Sequence, residues 1–569
     1  MTLPRVTTNE RDLTVNLQLV GTIGAGIAGN FSWGEIGVKT KLQDDVDLAT
    51  RFGKPNSTNS VDWMSAENFL KYVPNLTAIR VVGAGAMNAS SVTGGTLIKN
   101  FDEYQLAGSQ VLTHKFVARY AGAIGNSITV SVADASTYST WPYRTQFDTA
   151  PASSDRSAAF VTNANDEMHV IVIDRLGLIS GVIGGVLEKF AYVSKASDAL
   201  DQSGQSLYYK NVIDNTSGFI YAADVIPAAT QEDPSTTHSL IGATLLAGKP
   251  FADLLNSITV NLVGGNNGAV PTVAEYVAAY EDLCSSDDPS LRAIITGNCG
   301  GDANFNAVTT AAITAATASA QRVVFMSPKL SDVQSSNPTT VKTNIIETYN
   351  SITPLNSYTH FSNGVKMVFD KYNNRYVIIP TNSDDAALYC IIGNSGEHWQ
   401  SGAGYSRGKY RNTIKLVYNP KGADADEMYK LGINNVINED GEGVMLFGDR
   451  TGQGKNSPFR FMGTRMLFIE LRYVIKNAAK YNLFEFNTDY TRSQFVNSTD
   501  PLIREYRGKN GIADGTVICD TRNNPTSVIE RGEFVGSIII KPQYSVQSVI
   551  LNFSAVGRDV NFDEVVQQA

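Results

Sequence analysis

The sequence contains one glycine pattern of the kind that cradles phosphates. Gly24, Gly26 and Gly29 form a literal G-x-G-x-x-G after an apolar run, and Asp44, Asp45 and Asp47 follow, at roughly the 20-residue distance where a dinucleotide fold places its ribose-binding acid. That chemistry needs a helix to open at the third glycine. Here Asn30-Phe-Ser-Trp-Gly34 follows, which is no helix start, so the glycines are assigned instead, with Gly21, to a flexible hinge. A second run, Gly448-Asp-Arg-Thr-Gly-Gln-Gly-Lys455, approaches a phosphate loop but lacks its first glycine and the Ser or Thr after the lysine. The three aspartates are expected to form a solvated turn.

Five histidines (His114, His169, His238, His360, His398) are scattered, and none stands at metal-ligand spacing from Cys, Asp or Glu. The four cysteines (Cys284, Cys299, Cys390, Cys519) form no C-x-x-C and are expected as reduced thiols. No nucleophile, base and orienting acid can be grouped from spacing alone, so no catalytic site and no cofactor is expected. The net charge of −9 argues against a nucleic-acid partner, which would require a basic surplus. The longest apolar stretch, Leu176 to Leu187, contains four glycines and is well short of the roughly 20 residues a bilayer span needs. The N-terminus offers no apolar core of a signal peptide.

The informative patterns are structural. Leu13, Val15, Leu17 and Leu19 alternate with polar residues near the start, and Val549, Leu551, Phe553 and Ala555 alternate near the end. Period-two alternation marks a strand with one buried face. Both lie on loose ends with no local partner, which suits completion of a neighbour's sheet. Between them, 569 residues predict roughly three or four domains. Helical and strand patterns alternate over 31–82 and again after the capping box Thr272-Val-Ala-Glu275, predicting a mainly parallel α/β layer. From 105 to 245, short alternating runs separated by turn residues predict a β-barrel or sandwich. The helix expected over 465–481 carries a basic stripe of Arg465, Arg472, Lys476 and Lys480. Residues 448–511 hold 11 Lys plus Arg against 6 Asp plus Glu, so charge is segregated along the chain.

Several runs in this frame resemble the contractile tail sheath proteins of myovirus-type bacteriophages. They are Leu446-Phe-Gly-Asp-Arg-Thr451, Ser457-Pro-Phe-Arg-Phe461, Tyr481-Asn-Leu-Phe-Glu-Phe-Asn487, Gly532-Glu-Phe-Val-Gly536 and Val549-Ile-Leu-Asn-Phe553, and in the N-terminal third Arg51-Phe-Gly-Lys-Pro55 and Ile79-Arg-Val-Val82. The resemblance implies a multidomain α/β and α+β protein. It implies an arm with a donor strand (1–22), a middle α/β domain in two parts (23–104 and 246–397), an inserted outer β-rich domain (105–245), and an inner tube-facing α+β domain ending in a second donor strand (398–569). It further implies a non-enzymatic subunit in the virion tail, assembled in the host cytoplasm, whose partners are other copies of itself, the tail tube, the baseplate and the tail terminator. The basic helix would face the tube. A sheath of a non-viral bacterial injection system is the alternative setting, and a dinucleotide-binding α/β enzyme the alternative class.

Overall fold

In a computed structural model, the protein is described for residues 21–107, 114–158, 160–161, 163–223, 241–245, 249–547 and 549–550. The body opens with β1 (Gly24–Gly29) and β2 (Lys39–Leu42), then α1 (Asp45–Phe52), α2 (Ser60–Leu70) and β3 (Leu76–Arg80). The chain then detours through an insertion and resumes with α6 (Val273–Ser285), β12 (Leu291–Ile295), α7 (Phe305–Ser319), β13 (Val323–Met326), α8 (Pro338–Ser351) and β14 (Thr359–Phe361). Six strands form one sheet in the order β14-β13-β12-β1-β3-β2, parallel except for β2. A parallel sheet must be covered on both faces. Ala25, Ile27, Ala293 and Phe325 point to a core shared with α2, whereas Ala28, Ile79, Ile294 and Val324 point to one shared with α6, α7 and α8. The expected capping box opens α6, with the Thr272 N–H donating to Glu275 Oε2 at 2.9 Å.

The hinge expected at Gly24, Gly26 and Gly29 is not there. All three lie buried inside β1, Gly24 paired with β12, Gly29 with β3 and Gly26 with both. A Cβ on Gly24 would stand 1.9 Å from the Asn75 carbonyl oxygen, and one on Gly29 would stand 2.9 Å from the Phe31 ring. Glycine is used at these positions for close approach, and the flexibility it brings elsewhere is cancelled by the ladder. Gly21 alone precedes the strand, exposed and with open space around it.

The insertion contains β4 (Ala86–Ser90), α3 (Phe101–Ala107), β5 (Val117–Ala121), β6 (Ile128–Asp134), α4 (Asp155–Ala158), β7 (Glu167–Asp174), β8 (Gly185–Ser194), α5 (Tyr209–Thr216), β9 (Ile220–Tyr221), β10 (Ile258–Asn261) and β11 (Asn266–Asn267). Two four-stranded sheets, β10-β6-β7-β8 and β11-β4-β5-β9, enclose a core of Phe116, Val130, Val132, Val170, Val172 and Ile220. The sheets extend beyond 105–245 on both sides, because β4 pairs with β11 and β10 completes the edge of β6. The chain leaves and re-enters through one doorway, where the Ala269 N–H donates to the Ala84 carbonyl at 2.9 Å. Arg80, at the end of β3, closes the junction. Its guanidinium, fully buried, donates to the carbonyls of Phe31, Gly34 and, across in the insertion, Ala121, all within 2.8 Å.

After β14 come the strands β15 (Val365–Asp370) and β16 (Arg375–Pro380), α9 (Asn382–Asn394) and β17 (Lys415–Leu416), which form an antiparallel sheet in the order β16-β15-β17 with α9 beneath the body. Lys366 on β15 is wholly buried. Its ammonium donates to Asp384 Oδ1 at 2.8 Å, Asn68 Oδ1 at 2.9 Å and the Arg411 carbonyl at 2.9 Å, tying β15, α9 and α2 together. Beside it, burial raises Asp385 to about 7, with Ser362 and Tyr410 hydroxyls opposing that rise. A carboxyl raised above its unfolded value holds a proton in the folded state that the unfolded chain releases. Stability on this account is therefore present in full below about pH 4 and is lost as pH rises to about 7, by up to ~4 kcal/mol. Asp385→Asn should flatten that part of the pH dependence of thermal unfolding; an unchanged profile would remove Asp385 as its source.

The last region holds α10 (Ala423–Leu431), the hairpin β18 (Asn435–Glu439) and β19 (Gly443–Phe447), α11 (Met462–Ala479), α12 (Asp489–Gly508), β20 (Ile512–Ile518), α13 (Thr526–Glu530) and β21 (Ser537–Pro542). Leu467, Leu471, Phe495, Ile503 and Ile512 form its own small core. No helix among the described residues is long and apolar enough to cross a membrane.

Candidate assembly interface

The β20–β21 pair is a two-stranded antiparallel sheet in which Thr516 faces Ile539 and Val517 faces Ile538. Among the described residues, neither outer edge has a partner strand. An isolated pair of strands is marginal in water, and this one is held by α11 and α12 beneath it. Open edges are ordinarily covered or blunted. Between β21 and α11 runs an apolar groove of about 320 Å³, lined by Phe468, Leu471, Ile475, Ile538 and Ile540 and rimmed by Arg472 and Lys476. A strand with one apolar face would find both a ladder and a groove at this place.

The arm residues Leu13, Val15, Leu17 and Leu19 lie outside the described residues, as do Leu551, Phe553 and Ala555. Val549 is described; it is exposed and in no regular element. Just before it, the chain is anchored. The Ser545 hydroxyl donates to Asp449 Oδ2 at 2.9 Å, and Tyr544 packs on Phe461 with ring centroids 5.3 Å apart. Asp449 also accepts from the Tyr389 hydroxyl at 2.8 Å, and burial raises its pKa. The loop that superficially approaches a phosphate cradle therefore fixes the root of the C-terminal segment. Among the described residues no group of His, Cys, Asp or Glu could hold a metal ion, and the four cysteines are buried and free.

The basic stripe divides. Arg472 and Lys476 on α11 and Lys480 at its C-cap are exposed at intervals of four. Arg465 is not a surface residue: its guanidinium lies between the rings of Tyr358 and Phe459, 4.2 and 4.0 Å from their centroids, and donates to the Ser357 and Tyr358 hydroxyls. The first turns of α11 are sunk into the body, where a Cβ on Gly463 would meet the Trp399 carbonyl at 2.2 Å. Only beyond Leu471 does the helix emerge.

Sequence reasoning used Tyr481 to Asn487 for the resemblance alone and missed that this run is an exposed turn between α11 and α12. Tyr481, Leu483, Phe484, Phe486 and Tyr490 are all exposed there, Phe484 completely. Phe484 also has φ +70°, a left-handed conformation that costs a bulky residue about 1–3 kcal/mol. Neither burial nor a hydrogen-bonding side chain offsets that cost. The available signal was composition, since five large apolar residues within ten positions are not what a solvated turn requires.

No family model matches the chain. The tail sheath protein of Salmonella phage ViI is 27% identical to it, covering 99% of this chain and 97% of that protein. The tail sheath proteins of Vibrio phage KVP40 and Enterobacteria phage T4 are each 26% identical, covering 99% and 95% of this chain and 99% and 95% of their own lengths. The fold resembles that of a sheath tail protein from Listeria innocua, with a TM-score of 0.53 at 12% identity over 92% of this chain and 96% of that one. The chain is thus similar from end to end to three phage tail sheath proteins, and its mixed α/β fold resembles that of a solved sheath tail protein.

Proposed function

We infer that the protein is the structural subunit of a contractile phage tail sheath, which polymerises as stacked rings around the tail tube and contracts by rigid-body reorientation of its subunits to drive the tube through the host envelope. The observation that carries this reading is similarity to sheath proteins over essentially the whole chain. In contraction, work comes from larger and better matched interfaces in the shortened state, a bistable-packing transition that consumes no nucleotide. The terminal strands around Leu13–Leu19 and Val549–Ala555 add to the open edges of β20 and β21 in neighbouring copies, keeping subunits joined while their bodies rotate. The unpaired edges and the apolar groove beside β21 support that assignment. Gly21 supplies the flexible point where the arm leaves the body. Arg472, Lys476 and Lys480 face an acidic tube surface, a contact that is screened by salt and reversible. Baseplate and tail terminator proteins bound the two ends of the stack, in a virion tail assembled in the host cytoplasm.

Negative-stain imaging of the purified full-length protein tests the class, since long tubes or rings are expected. Deleting residues 1–20 should abolish both tube-templated sheaths and tube-free polymers, and normal polymers from the truncated chain would refute the arm assignment. Reversing the charges of Arg472, Lys476 and Lys480 together should weaken assembly on tubes, the more so at low salt. Unchanged templated assembly would take the basic face off the tube.

A further inference from the structure

The exposed aromatic turn and the polymeric reading meet in one geometric fact. The turn sits at the far end of α11, and α11 has 18 residues, about 27 Å at 1.5 Å per residue. At the near end, beside Phe461 and Asp449, lies an open cleft of about 660 Å³ lined by Ala403, Arg407, Asp426, Tyr429, Phe447 and Val546. Phe447 is exposed in that cleft, with the edge of Tyr405 against it at 5.8 Å. An apolar projection and a mixed polar and apolar recess that exposes Phe447 therefore stand at opposite ends of a rigid rod, too far apart to meet within one copy.

Their charges are complementary. Along α11 up to the turn, Arg472, Lys476 and Lys480 have no ion-pair partner among the described residues, and residues 472–492 carry four cations against Glu485 and Asp489, of which Arg492 is paired with Asp489. Around the cleft, residues 421–442 carry six carboxylates against Lys421 and Lys430. Asp424 and Glu427 are engaged by Lys342, and Glu442 by Lys409, while Asp426 and Asp440 have no such partner among the described residues. Arg407, the cation in the lining, is turned to the Ser401 carbonyl at 2.9 Å.

We propose that the aromatic turn of one copy, led by Phe484 and Phe486, docks into the Phe447 cleft of a second copy, with Lys480 drawn from the tube-facing set to the Asp426 side of the rim and Arg472 and Lys476 left to the tube. The proposal rests on the sheath reading and adds to it a head-to-tail contact. A contact between two different patches does not close on itself as a two-fold one does; it propagates, giving rings or helices according to the rotation per step. It also gives the strained Phe484 a function, since burial in a neighbour supplies the compensation that its own subunit lacks.

The test uses the full-length chain. Copies carrying F484C are mixed with copies carrying F447C, and the assembled polymers are oxidised mildly. A mixed disulfide dimer is expected, with neither variant cross-linking alone; polymers visible by negative stain that yield no cross-link would overturn the proposal. F484S/F486S, which removes no buried side chain, should raise the concentration needed for tube-free assembly at least tenfold with an unchanged circular dichroism spectrum. K480E should act in the same direction, and K480E/D426K should restore assembly. Tube-free assembly of F484S/F486S at the wild-type concentration overturns the docking, and if tube-templated assembly is lost in that case the turn belongs to the tube. A wild-type chain that forms no polymer at all overturns the sheath reading itself.

Discussion

Replacing Lys366 by methionine should destabilise the body by about 3–5 kcal/mol, the usual cost of removing one partner from a buried ion pair and leaving the other charge stranded. The stranded charge is Asp384, which lies wholly out of solvent at the start of α9 and would keep only the Tyr72 hydroxyl and its helix N-terminus. Three elements lose their common tie, because the same ammonium also holds Asn68 on α2 and the carbonyl of Arg411. The chain is large and multidomain, so the loss is best read locally. Hydrogen exchange should accelerate in β15 and α9 and leave the insertion unaffected. K366M/D384N, which removes the uncompensated charge as well, should recover a substantial part of the loss. A K366M protein with wild-type exchange in α9 would show that the pair contributes no net stability.

Arg80→Met should separate the insertion from the body. No carboxylate pairs with Arg80 among the described residues, and burial lowers its pKa to about 9, so its charge is itself a cost in the fold. That cost is offset by three carbonyls, each of which would be left without its donor at about 1–3 kcal/mol. Relief of the buried charge reduces the sum, and a net loss of about 2–4 kcal/mol is expected. The effect concentrates at the doorway, because only the Ala121 carbonyl belongs to the insertion. Limited proteolysis should therefore cut R80M near Ala84 and Ala269 well before it attacks the body. Cleavage spread evenly over both would contradict the assignment.

Local patterns carried much of the fold. The capping box located the start of α6, and the alternation of helix and strand expected after it is what β12, α7 and β13 form. The misreadings share a physical origin in long-range contact. Glycines at 24, 26 and 29 are poor strand formers taken singly, and what makes them a strand is pairing with β12 and β3, with Asn75 closing on Gly24, all invisible to a local rule. Arg465 lies seven residues before Arg472 and so shares its helical face, yet Tyr358 and Phe459 bury one and leave the other free. The insertion reaches beyond 105–245 because its closing pairs, such as Met87 with Asn266, join residues far apart in the chain. The alternation at Leu13–Leu19 and Val549–Ala555, whose use between copies is a proposal, was legible as a pattern. The open β20–β21 edges and the aromatic turn were not, since both are defined by what fails to cover them.

The doorway at Ala84 and Ala269 has a consequence for how such a protein changes over generations. Its two crossings are hydrogen-bonded neighbours, so the ends left by excising everything between them lie within reach of a short loop. Chain termini that lie close together are the condition under which one module is tolerated inside another. The strands β1, β3 and β12, the groove beside β21 and the cleft at Phe447 all lie outside that excision. Lineages can therefore exchange, enlarge or discard the inserted module as a unit, while the groove beside β21 and the cleft at Phe447 are left in place.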